Sequence, residues 1–163
     1  MVHDIDMILE MVNSPIENIQ ASGAKMMSST IDLAHAYIKF KNGVVANLKS
    51  SRIAQGYVRK IRTYEKNLYS IADLMIPQIE VYGLKNNGQF SKNSISKIVE
   101  TSEGEKTVFY EKFVPEKKDA LLEEINNFIE SVLNRTSPNV DGKAGKKALD
   151  IALQIENKIF LND

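Results

Sequence analysis

The feature that most constrains the fold is residues 32–52, an alternation of apolar and polar residues interrupted by Lys41-Asn42-Gly43. A period of two is typical of a strand with one buried face. Asn and Gly adopt the positive φ angles that hairpin turns require. We expect a three-residue loop with Gly43 in the left-handed conformation, which places Phe40 opposite Val44.

This register sorts the side chains of the hairpin onto two faces. One face is apolar and comprises Ala34, Ala36, Ile38, Phe40, Val44, Ala46 and Leu48. The other comprises His35, Tyr37, Lys39, Val45, Asn47, Lys49 and Ser51. A tighter turn at Asn42-Gly43 would move Lys49 onto the face of Ile38 and Phe40, because a one-residue slip exchanges the faces of a strand. The longer loop is therefore favoured, in an antiparallel sheet covered on one side.

The rest of the chain predicts further strands and then helices. Period-two patterns and turn residues indicate strands at 16–27, 57–65, 68–74, 78–84, 95–100 and 106–113, with a loop at 86–94. Apolar residues at helical spacing predict helices at 3–12, 121–133 and 144–160. Short connections favour antiparallel neighbours. We therefore expect an α+β fold, with a large, mostly antiparallel open sheet and helices packed on one face.

Composition limits the class of protein. A chain of 163 residues, 43% of them hydrophobic, predicts one domain, 1–163, with a proper core. Basic and acidic residues number 21 each, which removes the electrostatic reason to expect a nucleic-acid or membrane partner. The absence of cysteine excludes disulfides and a catalytic thiol. No secretory signal is visible, and a cytoplasmic location is expected.

Few residues carry a recognisable chemistry. The eight glycines do not have the spacing of a dinucleotide fingerprint or a P-loop. His35 lies mid-strand among polar residues, where a solvated or interface histidine is more common than a substrate contact. By spacing alone His3 begins a helix, with Asp4 and Asp6 complementing the helix dipole. No paired ligand spacing indicates a metal site.

A basic cluster is the other candidate, formed by Arg52, Arg59, Lys60 and Arg62. Arginine and lysine on an open sheet face bind phosphate or carboxylate groups. A solvated face is the more common role of such a cluster, and the residues alone do not decide between the two.

The order of several short motifs indicates a family. His3-Asp-Ile-Asp6 precedes an apolar helix, Asp32-Leu-Ala and Phe40-Lys-Asn-Gly43 form the hairpin, and Ser50-Ser-Arg52 follows. Leu122-Glu-Glu-Ile125, Pro138-Asn-Val140 and Ala148-Leu-Asp-Ile-Ala152 complete the series. Over nearly its whole length the chain resembles the C-terminal domain of the Gfo/Idh/MocA oxidoreductases.

The resemblance implies a two-domain enzyme that moves hydride between NAD or NADP and a sugar, a sugar derivative or a cyclitol. His3 matches the histidine that closes the family motif Gly-Gly-x-x-x-Asp-x-x-x-His, and is implied to be catalytic. Asp6, Arg52, Arg59 and Arg62 are implied to bind substrate. The residues of the His3-Asp-Ile-Asp6 and Ser50-Ser-Arg52 motifs are most similar to the branch acting on UDP-N-acetylglucosamine-type nucleotide sugars. In that branch, Arg52, Arg59 or Arg62 would be candidates to bind the diphosphate.

The chain also departs from the family pattern. The Gly-Gly and Asp of the motif and the Rossmann domain are absent from residues 1–163. We therefore expect a substrate-binding and oligomerisation domain that binds no dinucleotide and is inactive alone. A homodimer or higher homo-oligomer is expected through the sheet face bearing Tyr37, Val45 and Tyr57. The alternative is a free-standing, non-catalytic α+β module that dimerises or binds a partner.

Overall fold

A computed structural model describes residues 1–53, 55–84, 94–116 and 118–161 of the chain. Its helices are α1 (Val2–Val12), α2 (Ala120–Asn134) and α3 (Gly142–Phe160). Its strands are β1 (Ile16–Ala24), β2 (Leu33–Phe40), β3 (Val45–Ser51), β4 (Lys60–Glu65), β5 (Leu68–Asp73), β6 (Gln78–Leu84), β7 (Ile95–Thr101) and β8 (Gly104–Phe113). The loop predicted at 86–94 falls, except for its last residue, outside the described residues.

The chain divides into two compact units. The first unit comprises Met1–Gln55 and Leu121–Asp163, and the second comprises Gly56–Ala120. Every strand pair in the described residues is antiparallel, which confirms the predicted class of sheet. The described strands form two sheets, of three and five strands, where the sequence predicted a single large one. The assignment of one functional domain over 1–163 stays a prediction.

The hairpin at the centre of the first sheet has the predicted register. The sheet order is β1-β2-β3. The Phe40 N–H donates to the Val44 carbonyl at 2.9 Å, and Gly43 has φ +88°. Ile38 pairs with Ala46, as the three-residue loop requires.

The apolar face of this sheet is buried beneath two helices. Strand residues in the core are Ile19, Ala36, Ile38, Phe40 and Leu48. Helix α1 contributes Ile5 and Leu9, and α3 contributes Ala148, Ile151, Ile155 and Ile159. The Asp141 carboxylate caps α3 by accepting the N–H groups of Lys143 and Ala144 at 2.9 Å. The prediction that a helix covers the sheet is therefore confirmed for α3.

Strands β1 and β4 are each three residues shorter than predicted. Strand β1 ends at Ala24, because the backbone N–H groups that follow bond to a carboxylate instead of a neighbouring strand. Strand β4 begins at Lys60 rather than at residue 57. Tyr57 and Val58 precede it and are 92% and 74% exposed, so their alternation does not reflect a buried face.

The second unit is a five-stranded sheet of order β4-β5-β6-β8-β7. The buried apolar residue of this unit, among those described, is Phe109, whose ring occupies the space beside Gly83. Four tyrosine rings lie in a row across β4, β5, β6 and β8, at centroid separations of 4.8, 5.8 and 4.9 Å: Tyr64, Tyr69, Tyr82 and Tyr110. Cross-strand aromatic pairs of this kind stabilise a sheet that lacks a deep core.

The tyrosine row also carries a carboxylate. The hydroxyl groups of Tyr82 and Tyr110 donate to Glu80 at 3.4 and 3.2 Å. Desolvation, followed by the negative charge of Glu80, raises the pKa of both phenols above its ordinary value. Both hydroxyl groups therefore remain donors to Glu80 across the neutral range.

Helix α2 does not meet the prediction that each helix is covered. Its apolar residues are exposed, by 46% at Ile125 and 76% at Leu133. Its one buried residue is Ser131, whose hydroxyl donates to the Asn127 carbonyl at 2.7 Å. The Asn127 side chain accepts the Asn139 N–H at 3.0 Å, which ties the loop after α2 to the helix.

Candidate functional site

His3 lies on helix α1, which is packed against the core of the first unit. Ile5 and Leu9 are 1% and 8% exposed and hold the helix against the core. A helix rotates about 100° per residue, so His3 lies on the side opposite these anchors. It is exposed, and Asp6, one turn later, is half-buried on a neighbouring part of the surface.

The first turn of α1 carries the His3 imidazole and the Asp4 carboxylate. The Asp4 carboxylate lies 3.3 Å from the amino group of Met1. In the described residues no group of three or more His, Cys, Asp or Glu side chains is placed to hold a metal ion. An exposed imidazole is one of the side chains that can take a proton from a hydroxyl group.

The loop after β1 is organised by Asp32, a residue to which the sequence assigned no role. One carboxylate oxygen accepts the N–H groups of Met26, Met27 and Ser28 at 3.0, 2.8 and 3.0 Å. The other accepts the Ser28 hydroxyl at 2.9 Å. These bonds, led by the one from Met27, hold the pKa of this carboxyl far below its ordinary range. Asp32 is therefore ionised and committed to the loop.

Arg52, which follows β3, hydrogen-bonds to this loop. Its N–H donates to the Asp32 carbonyl at 2.9 Å, and its guanidinium Nη1 donates to the Thr30 hydroxyl at 3.2 Å. The side chain is exposed. A guanidinium oriented in this way keeps donors for a phosphate or a carboxylate.

The other basic residues lie in the second unit. Lys60 pairs with Asp73 at 2.9 Å, and this ammonium is the main cause of the lowered pKa of the Asp73 carboxyl. Arg59 precedes β4, and its carbonyl accepts the Leu74 N–H at 2.9 Å. Arg62 is exposed on β4. Lys60 is thus neutralised, while Arg62 remains available to an anion.

The structure brings only some of the predicted site residues together. His3 and Asp6 share one helix of the first unit, and Arg52, after β3, bonds to the Asp32 loop of that unit. Arg59 and Arg62 lie in the second unit. The available signal for the missed role of Asp32 was its place after Ser28-Ser-Thr30, because Asp and Ser side chains bond readily to nearby backbone N–H groups.

Comparison with known proteins identifies relatives of about twice the length. The chain is 27% identical over 155 residues to the UDP-N-acetylglucosamine 3-dehydrogenase of Acidithiobacillus ferrooxidans, covering 95% of this chain and 45% of that protein. It is 28% identical over 158 residues to the myo-inositol 2-dehydrogenase of Thermotoga maritima, covering 91% and 42%. The chain therefore spans less than half the length of these relatives.

Solved structures share the fold. The structure of the Acidithiobacillus ferrooxidans UDP-N-acetylglucosamine 3-dehydrogenase superposes with a TM-score of 0.79 at 25% identity, covering 98% of this chain and 45% of that one. The Bordetella pertussis WlbA dehydrogenase, solved with NADH and UDP-GlcNAcA, superposes with a TM-score of 0.56 at 13% identity, covering 99% and 41%. At that identity the second comparison shows the fold alone.

The family model of the GFO/IDH/MocA C-terminal domain matches residues 1–85. This range is just over half of the 163 residues and includes α1, the hairpin and the Asp32 loop. In agreement with the resemblance of its motifs, the chain belongs to the GFO/IDH/MocA family, through the C-terminal domain.

Proposed function

We propose that this chain is the substrate-binding and oligomerisation part of a cytoplasmic NAD(P)-dependent oxidoreductase that acts on a sugar or a nucleotide sugar. The observation that carries the proposal is the family match over residues 1–85, which begins on the helix that presents His3. The named activities of the two curated relatives support the sugar and cyclitol class. NAD or NADP is bound by a separate nucleotide-binding domain, and none by this chain alone.

In this proposal His3 is the catalytic residue. Oxidation of a secondary alcohol removes a hydride from carbon and a proton from oxygen. A bound nicotinamide would supply the hydride acceptor, and in this proposal the His3 imidazole accepts the proton from the hydroxyl. The exposure of His3 supports this role, because a neighbouring domain can deliver substrate to it. Asp6 lies one helical turn away and is the proposed hydrogen-bond partner of another substrate hydroxyl.

Arg52 in the first unit, or Arg59 or Arg62 in the second, is proposed to bind the anionic part of a nucleotide sugar. Arg52 is oriented by Thr30, and Arg62 is exposed on β4. Arg59 is the third candidate, beside the first residue of that strand. Guanidinium groups bind diphosphate oxygens through paired N–H donors, which a lysine cannot reproduce.

Self-association through the polar face of the first sheet is also proposed. Tyr37 and Val45 lie on this face and are 37% and 40% exposed. Tyrosine and aliphatic residues among polar neighbours are characteristic of interfaces. Tyr57, the third predicted contact, lies in the second unit and is 92% exposed.

The test joins residues 1–163 to the nucleotide-binding half of the Acidithiobacillus ferrooxidans relative and follows NAD(P)H absorbance. UDP-N-acetylglucosamine and myo-inositol are the substrates. His3→Gln is expected to lower kcat about 100-fold or more while substrate binding is kept, as loss of a general base does. Glu10→Gln, an exposed change on the same helix, is the matched control and is expected to leave kcat within about twofold. Equal rates for the two variants would refute the role of His3.

The second candidate function is a free-standing interaction module. The exposed apolar residues of α2 favour it, because a surface helix with such a stripe is stabilised by a covering partner. A chimera that folds and binds NAD(P)H, but oxidises neither substrate, would favour this module over the oxidoreductase.

A further inference from the structure

The guanidinium of Arg52 is held by a hydroxyl group and not by a carboxylate. Its Nη1 donates to the Thr30 hydroxyl at 3.2 Å. In the part of the chain that the structure describes, this is the one hydrogen bond of the guanidinium, and it forms no ion pair there. Lys60 makes the contrast, because its ammonium contacts the Asp73 carboxylate directly at 2.9 Å. The charge of Arg52 is therefore oriented without being neutralised.

The Thr30 hydroxyl is itself held in place by hydrogen bonds. It lies 3.0 Å from the Ser28 hydroxyl, whose oxygen also accepts the Thr30 N–H at 3.1 Å. The Ser28 hydroxyl in turn lies 2.9 Å from one Asp32 carboxylate oxygen and 3.1 Å from the Thr30 carbonyl. We call Arg52, Thr30, Ser28 and Asp32 the Thr30 network. All four residues belong to the first unit.

The count of protons gives the Thr30 network a direction. A hydroxyl group has one proton to donate. The Ser28 proton goes to the Asp32 carboxylate, which is the nearer acceptor and the charged one. The Thr30 hydroxyl therefore donates to Ser28 while it accepts from Arg52. Each bond points from the guanidinium towards the carboxylate, and hydrogen bonds aligned in this way strengthen one another.

The carboxylate end of the Thr30 network is fixed to the backbone. Asp32 is 6% exposed, and its second carboxylate oxygen accepts three backbone N–H groups, at 3.0, 2.8 and 3.0 Å. The Asp32 N–H donates to the Ala24 carbonyl at 3.0 Å, and the Asp32 carbonyl accepts the Arg52 N–H at 2.9 Å. The backbone of Arg52 and the hydroxyl groups that orient its side chain are therefore attached to the same residue.

We infer that Thr30 is a positioning residue, which orients the Arg52 guanidinium for a diphosphate and so favours a nucleotide sugar over an uncharged sugar or cyclitol. The inference rests on the proposed binding of the anionic part of the substrate by Arg52. Arg52 is exposed, and Thr30 occupies one of its nitrogen atoms, so several N–H donors remain for phosphate oxygens. A side chain that is ordered before binding loses less conformational entropy on binding, which raises the affinity without a new contact.

The experiment titrates the isotope-labelled chain with inorganic pyrophosphate and follows the Arg52 guanidinium signals by NMR. Thr30→Val removes the hydroxyl and keeps the branched shape. It is expected to speed rotation of the guanidinium and to weaken pyrophosphate binding about three- to tenfold. Thr30→Ser keeps the hydroxyl and is expected to retain slow rotation and an affinity within about twofold of the parent chain. Ser29→Ala removes an exposed hydroxyl of the same loop outside the Thr30 network, and this matched control is expected to change neither quantity.

A double-mutant cycle separates an effect through Arg52 from a general effect on the loop. Arg52→Gln is expected to weaken pyrophosphate binding about tenfold or more, as loss of a charged hydrogen bond does. If Thr30 acts through Arg52, Thr30→Val causes no further loss in the Arg52→Gln background. Additive losses would overturn the inference. Unchanged guanidinium rotation or unchanged affinity in Thr30→Val, with a clear loss in Arg52→Gln, would overturn it as well and would leave the role of Arg52 intact.

Kinetics of the chimera test the preference between substrates. Thr30→Val is expected to raise KM for UDP-N-acetylglucosamine about three- to tenfold, and to leave kcat and the KM for myo-inositol within about twofold. Equal rises in KM for the two substrates would overturn the inference, because a loosened loop would affect both.

Failure of the proposed function gives different results. No pyrophosphate binding by the parent chain, or equal binding by Arg52→Gln, would refute the role of Arg52 in binding an anion and overturn the inference with it. A chimera that oxidises neither substrate would refute the oxidoreductase assignment, whereas the pyrophosphate cycle would still decide the role of Thr30.

Discussion

Helices α2 and α3 have nearly the same sequence pattern and opposite environments. Each carries apolar residues at intervals of three and four. In α3, Ile151, Ile155 and Ile159 are no more than 8% exposed, whereas in α2, Ile125, Phe128 and Val132 are 46–62% exposed. The difference shows that periodicity defines the face a helix can bury but not whether a partner covers it.

The physical reason lies in what each helix meets. Helix α3 contacts α1 and β1, which belong to the same unit and present complementary apolar surface. Helix α2 keeps its apolar residues exposed to water. Burial of apolar side chains, not helix propensity, supplies most of the stability of a helix in a protein.

Ile155→Ala is the substitution with the largest expected effect on this comparison. Ile155 is 2% exposed and lies in the core of the first unit. Loss of its side chain leaves a cavity and is expected to lower the free energy of unfolding by about 2–5 kcal/mol. Urea unfolding followed through amide exchange in β2 measures it. A loss below about 0.5 kcal/mol would contradict the tight contact of α3 with the sheet.

Gly23→Ala tests the same contact from the strand side. A Cβ at this position would lie 2.6 Å from Ile159 Cγ2 and 3.2 Å from the Leu33 carbonyl. The overlap with α3 is expected to cost about 1–3 kcal/mol in the same unfolding measurement. Gly145→Ala is the control, since its Cβ meets nothing within 4 Å, and is expected to stabilise α3 by about 0.5–1 kcal/mol. Equal changes in the free energy of unfolding for the two glycine variants would contradict the close contact between β1 and α3.

Asp32→Asn is expected to have an intermediate effect and to change its pH dependence. The folded pKa of Asp32 is lowered, chiefly by the Met27 N–H, relative to about 3.9 in an unfolded chain. The ionised carboxylate therefore stabilises the fold above about pH 4, and this contribution is lost as pH falls towards the folded pKa.

Acid unfolding of the two forms measures this contribution. Asp32→Asn is expected to be less stable at neutral pH and to lose less stability in acid than the parent chain. Ser28→Ala removes only the hydroxyl donor and keeps the backbone bonds, so it should retain most of the acid dependence. Parallel acid profiles for the parent and Asp32→Asn would refute the role of Asp32.

Phe128→Ala has the smallest expected effect. Phe128 is 62% exposed on α2, so its loss is expected to change the free energy of unfolding by no more than about 0.5 kcal/mol. In the chimera with a nucleotide-binding domain, a cost above about 1 kcal/mol would show that this domain covers α2. A large cost in the isolated chain would instead mean that α2 is already covered, and the contrast with α3 would disappear.

Local sequence rules predicted much of the first unit. Gly43 and the alternation around it were sufficient to predict the turn, the register and the buried face of Phe40. Strand β1 was predicted to continue to residue 27 but ends at Ala24. The sequence pattern does not reveal that the Asp32 carboxylate accepts the N–H groups of residues 26–28. In the site, His3 was found through its motif, whereas the role of Asp32 depends on a loop that spacing does not specify.

By itself the sequence determined the antiparallel class of strands, the hairpin register and the family, because period-two alternation, turn residues and motif order are local properties. Only the tertiary structure decided that the strands form two sheets, that Arg52 lies in a different unit from Arg59 and Arg62, and that α3 is buried while α2 is not. Those outcomes depend on which distant surfaces meet, and the free energy of burying one surface against another is not contained in either segment alone.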